Sequence, residues 1–243
     1  MRLAAVEKMG YYPTPPSVTD LVARWLIPPA NGKWRLLDPC CGMGEAAAQL
    51  ARAVGGTCET WGVELSPVRS EAAARVMDRV FNTAWQQVGV QEKSVSLLWL
   101  NPPYDNDNES QRLEIEFLRS AIPVLVQGGV LIYIVPQRLL GYQAVARMLV
   151  GHFDNLVIRR FPDGEYEQFH QIVVLGTRRS YQTPANERVE AIRALVEQEL
   201  PCLGDPEAPW PIGIPPAPPT ARFERMDVSD REKIARAYAL GWP

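Results

Sequence analysis

Residues 94–104, SVSLLWLNPPY, decide the fold. The first seven are apolar or small, rich in large and β-branched side chains, and contain no breaker, so they read as a buried strand. The run stops at Asn101-Pro102-Pro103-Tyr104. Consecutive prolines remove two backbone donors and fix φ, so the chain leaves the sheet in a stiff turn. That turn presents a carboxamide and an aromatic ring at the carboxyl end of a strand, where open α/β sheets bind their ligands.

Such a turn suits the methylation of a planar, weakly nucleophilic nitrogen. The amino group of adenine and the amide of glutamine both delocalise their lone pair into a π system. They need acceptors for their N–H groups rather than a strong base. The Asn101 side-chain carbonyl and the Pro102 backbone C=O can both accept. Holding both hydrogens lets the nitrogen pyramidalise and aim its lone pair, which is catalysis by positioning and electrostatics. Tyr104 can stack on the flat face of the target. Read alone, the turn is equally a plain strand end with Tyr104 packed, because Asn-Pro often starts a turn.

Upstream, residues 34–54, WRLLDPCCGMGEAAAQLARAV, read as strand, glycine loop and helix. The strand Trp34 to Leu37 feeds Asp38. Gly42 and Gly44 permit a tight turn and close approach of the backbone to a ligand. The helix from Glu45 has Ala46, Leu50 and Val54 as its expected buried stripe, and its first N–H groups suit a carboxylate. Cys40 would touch a ligand through its backbone. Residues 60–67, TWGVELSP, read as a second short strand ending in Glu64, with Leu65 beside it. An acid about twenty positions after a glycine loop is where a ribose-binding carboxylate belongs, and an ionised carboxylate can accept from two hydroxyls. Gly-x-Gly-x-x-Ala also fits the dinucleotide fingerprint, which keeps a nicotinamide or flavin enzyme in view. A helix over residues 69–80 is expected next. Residues 81–90, FNTAWQQVGV, carry Asn82 and Thr83 and no acid. Before all of this stands Tyr11-Tyr12-Pro13-Thr14-Pro15-Pro16, then a helix capped by Ser17 or Thr19, with Leu21, Val22, Trp25 and Leu26 at helical spacing.

In this order the segments resemble the class I S-adenosylmethionine-dependent amino-methyltransferases, chiefly the N6-adenine group with Asn-Pro-Pro-Tyr. The elements are Tyr-x-Thr-Pro (Tyr12, Thr14, Pro15), Asp-Pro-x-x-Gly-x-Gly (Asp38, Cys40, Gly42, Gly44), Glu64 and Asn101-Pro102-Pro103-Tyr104, spanning roughly residues 11–179. The resemblance implies a Rossmann-like, seven-stranded, mostly parallel sheet with an antiparallel edge strand and helices on both faces. It implies S-adenosyl-L-methionine, bound by these residues together with Leu65, Asn82 and Asn101, and an aromatic clamp on the target, for which Phe169 is the candidate and Phe161 and Tyr166 its rivals. The family usually has an acid reading the cofactor's adenine where this chain has Asn82, which could still bond an adenine edge. Residues 1–180 would form the methyltransferase domain. Residues 181–243 would form a helical, proline-rich extension serving as a strap, a linker or a surface for a partner.

A chain of 243 residues, 47% hydrophobic and 22% charged, is ordinary for a globular protein. A net charge of −3 argues against a broad electrostatic grip on a nucleic-acid backbone. Cys40, Cys41, Cys58 and Cys202 include no Cys-x-x-Cys, and His152 and His170 lie far from them, so neither a metal site nor a disulfide framework is expected. With no basic-then-apolar start and no apolar run of membrane-spanning length, a cytoplasmic protein is expected. Three readings follow from the resemblance. The first is N6-adenine methylation of nucleic acid, DNA before RNA, with a partner chain supplying target recognition because no sizeable recognition domain follows the core. The second is glutamine methylation in a protein, which suits an acidic chain. The third is a non-catalytic, methyltransferase-like subunit. Arg159, Arg160, Arg178 and Arg179 form basic pairs in the last two strands, and alternation sends one of each pair to a given face.

Overall fold

The protein is described from a computed structural model covering residues 12–103, 113–205 and 211–226. Its centre is a seven-stranded sheet of β1 (Lys33–Asp38), β2 (Thr57–Glu64), β3 (Arg79–Asn82), β4 (Val95–Leu100), β5 (Leu125–Pro136), β6 (Phe153–Arg160) and β7 (Gln171–Arg178), in the order β3-β2-β1-β4-β5-β7-β6. β7 runs antiparallel to both β5 and β6, and the other pairings are parallel. The antiparallel strand thus lies one place in from the edge. The helices are α1 (Pro16–Ala23), α2 (Glu45–Val54), α3 (Pro67–Ala73), α4 (Leu113–Ala121), α5 (Gln143–His152), α6 (Tyr166–Phe169) and α7 (Asn186–Ala194).

All six residues of β4 are buried, as a central parallel strand covered on both faces requires. Their alternation divides the core. Leu98 and Leu100 join Leu131, Tyr133 and, from α4, Phe117 and Leu118. Leu97 and Trp99 join Ile132, Val18 and Val22 of α1, and Leu50 of α2. β1 pairs with β2 on one side and β4 on the other, with Asp38 opposite Gly62 and Leu36 opposite Leu97. The strand order reverses at β1, so a crevice opens between the carboxyl ends of β1 and β4.

Two expected helix ends are corrected by tertiary pairing. The helix expected over 69–80 ends at Ala73, because Arg79–Asn82 joins the sheet beside β2. Asp78 prepares that entry by accepting from the Thr60 amide at 2.7 Å and the Thr60 hydroxyl at 2.8 Å. The first helix stops before Trp25, because Leu26–Ile27 pairs in parallel with Ile212–Gly213. Neither Ser17 nor Thr19 caps that helix; Pro15 precedes it and Pro16 opens it, a position where a missing N–H costs nothing. Residues 137–152 form a 3-10 turn, Gln137–Gly141, followed by α5.

Beyond residue 180 the described residues are folded onto the core. α7 buries Val189 against Ala146 and Val150. Phe223–Arg225 pairs antiparallel with Val88–Val90, and the Phe223 ring stacks on Trp61 with centroids 4.6 Å apart and planes 5° apart. The other side of this cluster holds Arg35, only 1% exposed, whose guanidinium lies 4.3 Å from the Trp61 ring centre. Arg35 bonds Glu59 at 2.9 Å and the Ser94 carbonyl at 2.6 Å. The basic pairs are taken up internally: Arg160 pairs with Asp163, Arg159 lies over Trp25, Arg178 donates to the His152 carbonyl, and Arg179 pairs with Asp154. Tyr104 and, within the expected extension, residues 206–210 and 227–243 lie outside the described residues.

Candidate cofactor cleft and acceptor site

The crevice at the carboxyl ends of β1, β2 and β4 is a cleft of about 260 Å³. Its floor is the turn after β1. Asp38 accepts from the Cys40 amide at 3.0 Å, the Cys41 amide donates to the Val63 carbonyl at 2.9 Å, and the Gly44 amide closes the turn on the Cys41 carbonyl at 2.8 Å. Gly44 has φ +78°, and a Cβ there would stand 2.9 Å from Met77 Sδ and 3.1 Å from Ala73 Cα. Only glycine fits both conditions. The turn therefore delivers the start of α2, with Glu45 and Ala46, to the cleft wall. Burial lifts the Asp38 carboxyl to about 7, against the Cys40 amide and side chain that stabilise its ionised form and with the nearby Glu64 charge adding to the rise. Burial likewise pushes the Cys40 thiol well up, so it serves as a neutral donor.

Glu64 closes β2 and is 6% exposed. Oε1 accepts from the Ser66 amide at 2.7 Å and from Arg69 Nε and Nη2 at 3.0 and 2.7 Å; Oε2 accepts from the Gly42 amide at 3.0 Å. Asn82, exposed and outside the cleft lining, spends its amide nitrogen on the Glu64 and Leu65 carbonyls, each at 3.0 Å. It shapes the loop that carries Glu64, and Thr83, Ala84, Trp85 and Gln86 form the cleft wall in its place. Trp85 is pinned by its indole N–H to the Ser120 hydroxyl at 2.8 Å, which joins this wall to α4.

Asn101 follows β4 directly. Its Nδ2 donates to the Tyr12 carbonyl at 2.8 Å and to the Thr14 hydroxyl at 3.1 Å. A backbone carbonyl only accepts, so the carboxamide nitrogen must face it, and Oδ1 is the acceptor end. The Cys40 thiol donates to the Asn101 backbone carbonyl at 3.2 Å, tying the glycine-loop turn to the proline turn.

Of the residues singled out from sequence, Tyr12, Thr14, Asp38, Cys40, Glu64, Leu65, Asn101 and Pro103 line this one cleft. Pro15, Gly42, Gly44 and Pro102 are built into the turns behind it, and Tyr104 lies outside the described residues. Phe169 ends α6, and nothing is described of its side chain. Of its rivals, Phe161 is fully buried in the core, and Tyr166 donates its hydroxyl to Gln137 beneath the sheet edge. Sequence reading missed Arg69, Trp85, Leu113 and Phe117 as cleft residues. Arg69 stood two residues past Pro67 and five after Glu64, and Trp85 was the large aromatic in a polar stretch. Among the described residues no group of three or more His, Cys, Asp or Glu side chains could hold a metal, and no helix is long and apolar enough to cross a membrane.

Solved structures share this fold. A class I S-adenosylmethionine-dependent methyltransferase from Listeria monocytogenes aligns with TM-score 0.59 at 16% identity, over 78% of this chain and 72% of its own. An S-adenosylmethionine-dependent O-methyltransferase from Thermotoga maritima gives 0.51 at 18%, over 73% and 71%. A type I restriction-modification methyltransferase subunit from Streptococcus thermophilus gives 0.50 at 14%, over 79% of this chain and 54% of that one. No curated protein sequence matches the chain. The family model described as an uncharacterised methyltransferase family, DUF6094, matches residues 1–208.

The cleft fits S-adenosylmethionine by its donor set. Asp38 and Glu64 supply acid for a cationic ligand bearing hydroxyls, the start of α2 supplies amides for a carboxylate, and Leu65, 65% exposed at the cleft, offers an apolar face. With the glycine turn locked by φ and by Met77, and this set of side chains converging at the switch point of the sheet, the chain belongs to the uncharacterised methyltransferase family DUF6094, and its cofactor is S-adenosylmethionine.

Proposed function

We propose that this methyltransferase acts on the exocyclic N6 amine of adenine in nucleic acid, DNA in preference to RNA. The observation that supports the reading is the orientation of Asn101: its amide nitrogen donates to Tyr12 and Thr14, which makes its side-chain oxygen the acceptor end of a carboxamide set in the cleft lining. Pro102 contributes the second acceptor through its backbone carbonyl. S-adenosylmethionine supplies an electrophilic methyl group when bound. The chain's own part is to hold both amine hydrogens, turn the lone pair out of the ring plane and keep the amine at the mouth of the cleft. Tyr104 stacks on the base, which leaves its helix to reach the site. Asn101, Pro102, Pro103 and Tyr104 form the acceptor site. Tyr12, Thr14, Pro15, Asp38, Cys40, Gly42, Gly44, Glu64, Leu65 and Asn82 form the cofactor site, Asn82 through the loop it holds.

A net charge of −3 and the internal use of Arg159, Arg160, Arg178 and Arg179 support target recognition by a partner chain. A neighbour in fold is itself named as a subunit, of a type I restriction-modification system. The same acidity supports the second reading, methylation of a protein glutamine. The test is transfer of labelled methyl from S-adenosylmethionine onto duplex DNA, single-stranded DNA, RNA and protein, with the product base or residue identified by mass spectrometry. N6-methyladenine is the expected product; label in protein as methylglutamine, with none in nucleic acid, would replace the first reading with the second.

A further inference from the structure

An ionised carboxylate offers about four lone-pair positions, two on each oxygen. On Glu64 four donors are already in place: the Ser66 amide and two nitrogens of Arg69 crowd Oε1, and the Gly42 amide is on Oε2. Oε1 is therefore fully engaged, and the single acceptor position remaining belongs to Oε2. A ribose presents two neighbouring hydroxyls. A free glutamate at a strand end could take both, one or two to each oxygen, whereas this one can take one.

Arg69 is what makes the difference. It is partly buried, with 18% of its side chain exposed, and it stands in the cleft lining beside Glu64. Its fork grips Oε1 through Nε and Nη2, a geometry that fixes the rotation of the carboxylate as well as its charge. The two backbone amides come from separate loops, Gly42 from the turn after β1 and Ser66 from the start of α3. Without the guanidinium the carboxylate keeps one donor on each oxygen and is free to turn between them.

We propose that Arg69 is the positioning residue of the cofactor's ribose site: it saturates Oε1 of Glu64 so that Oε2 alone meets the ribose, and the site reads one hydroxyl of the pair. The proposal rests on S-adenosylmethionine as the cofactor and not on the identity of the methyl acceptor. It makes Arg69 a selectivity element acting through Glu64, with no contact to the transferred methyl group.

The test is calorimetric binding of S-adenosylhomocysteine and of its 2′-deoxy and 3′-deoxy analogues to the full chain. For the wild-type chain, one analogue should bind about tenfold or more weakly than the parent, the loss expected for one hydrogen bond to a charged group, and the other nearly as well. Arg69→Ala should weaken the parent by about the same factor and erase the difference between the two analogues, and Arg69→Lys should restore part of the affinity. Equal losses for the two analogues on the wild-type chain would overturn the proposal, and that measurement needs no variant to fold. Unchanged or tighter binding of the parent by Arg69→Ala would overturn it too, making Arg69 a competitor of the ribose. Absence of any binding by the wild-type chain would remove the cofactor itself and this role with it.

Discussion

The carboxamide nitrogen of Asn101 donates to the hydroxyl of Thr14 at 3.1 Å, across 87 residues of chain. The bond orients the proposed acceptor site from the segment that enters the fold first. Asn101→Ala should abolish methyl transfer, a loss of about a hundredfold or more for a group acting on the transition state, while calorimetry finds cofactor binding largely kept. Retained activity in this variant would sink the central claim. Asn101→Asp should fail as well, because a carboxylate cannot donate to the Tyr12 carbonyl. Thr14→Val should fall between, with kcat reduced about tenfold by a less fixed carboxamide.

Asp38 gives the protein a pH signature. Burial raises its carboxyl from 3.8 to about 7, so the folded chain binds the proton more tightly than the unfolded chain. Its contribution to stability therefore falls as pH rises from about 4 to about 7, and the penalty is complete above that. Asp38→Asn should raise the melting temperature at pH 8 and much less at pH 5. A cationic ligand favours the carboxylate, so affinity for S-adenosylmethionine should rise with pH through about 7 in the wild type and stay flat in the variant. Melts and titrations at several pH values check both.

Gly44→Ala should damage both fold and cleft. The added Cβ meets Met77 Sδ at 2.9 Å while the backbone keeps φ +78°. The strain is expected to cost about 1–3 kcal/mol in urea melts and to weaken the cofactor by displacing the start of α2. Equal cofactor affinity in the variant would show that this helix start plays no part in binding.

Phe223 is 3% exposed, and its ring covers Trp61. Phe223→Ala should cost about 3 kcal/mol by the cavity it leaves. It should also weaken cofactor binding, because the same segment holds residues 87–91, which continue the cleft wall: the Met226 amide donates to Gln87 and the Gln91 amide to Arg222. Denaturation and cofactor titration on one preparation measure the two effects together.

The sheet was legible because its strands carry their signal locally. β4 is an unbroken apolar run and the glycine loop follows β1 directly, so the switch point could be located before any contact was known. The place of the cleft residues was legible for the same reason, since Asp38 and Glu64 each end a strand and Asn101 follows one directly. What stayed hidden depends on partners distant in the chain. Asn82 looked like a ligand to the cofactor, but the path of the loop after β2 puts two carbonyls within its reach. Glu64 looked open to two hydroxyls, because nothing in TWGVELSP announces that Arg69, two residues further on, folds back onto it. Leu26–Ile27 and Phe223–Arg225 are too short to carry a period, and they become strands only through the residues they meet.

The late strap has a consequence for biogenesis. Ile212–Gly213 closes on Leu26–Ile27, and Phe223–Arg225 closes on Val88–Val90, so their partners leave the ribosome far ahead of them. A nascent chain can assemble most of the sheet and still keep the Trp61 face uncovered until residue 223 emerges. Such long-separated closures are slow to form, which makes the interval between the emergence of Val90 and that of Phe223 the one in which this protein has most need of a chaperone.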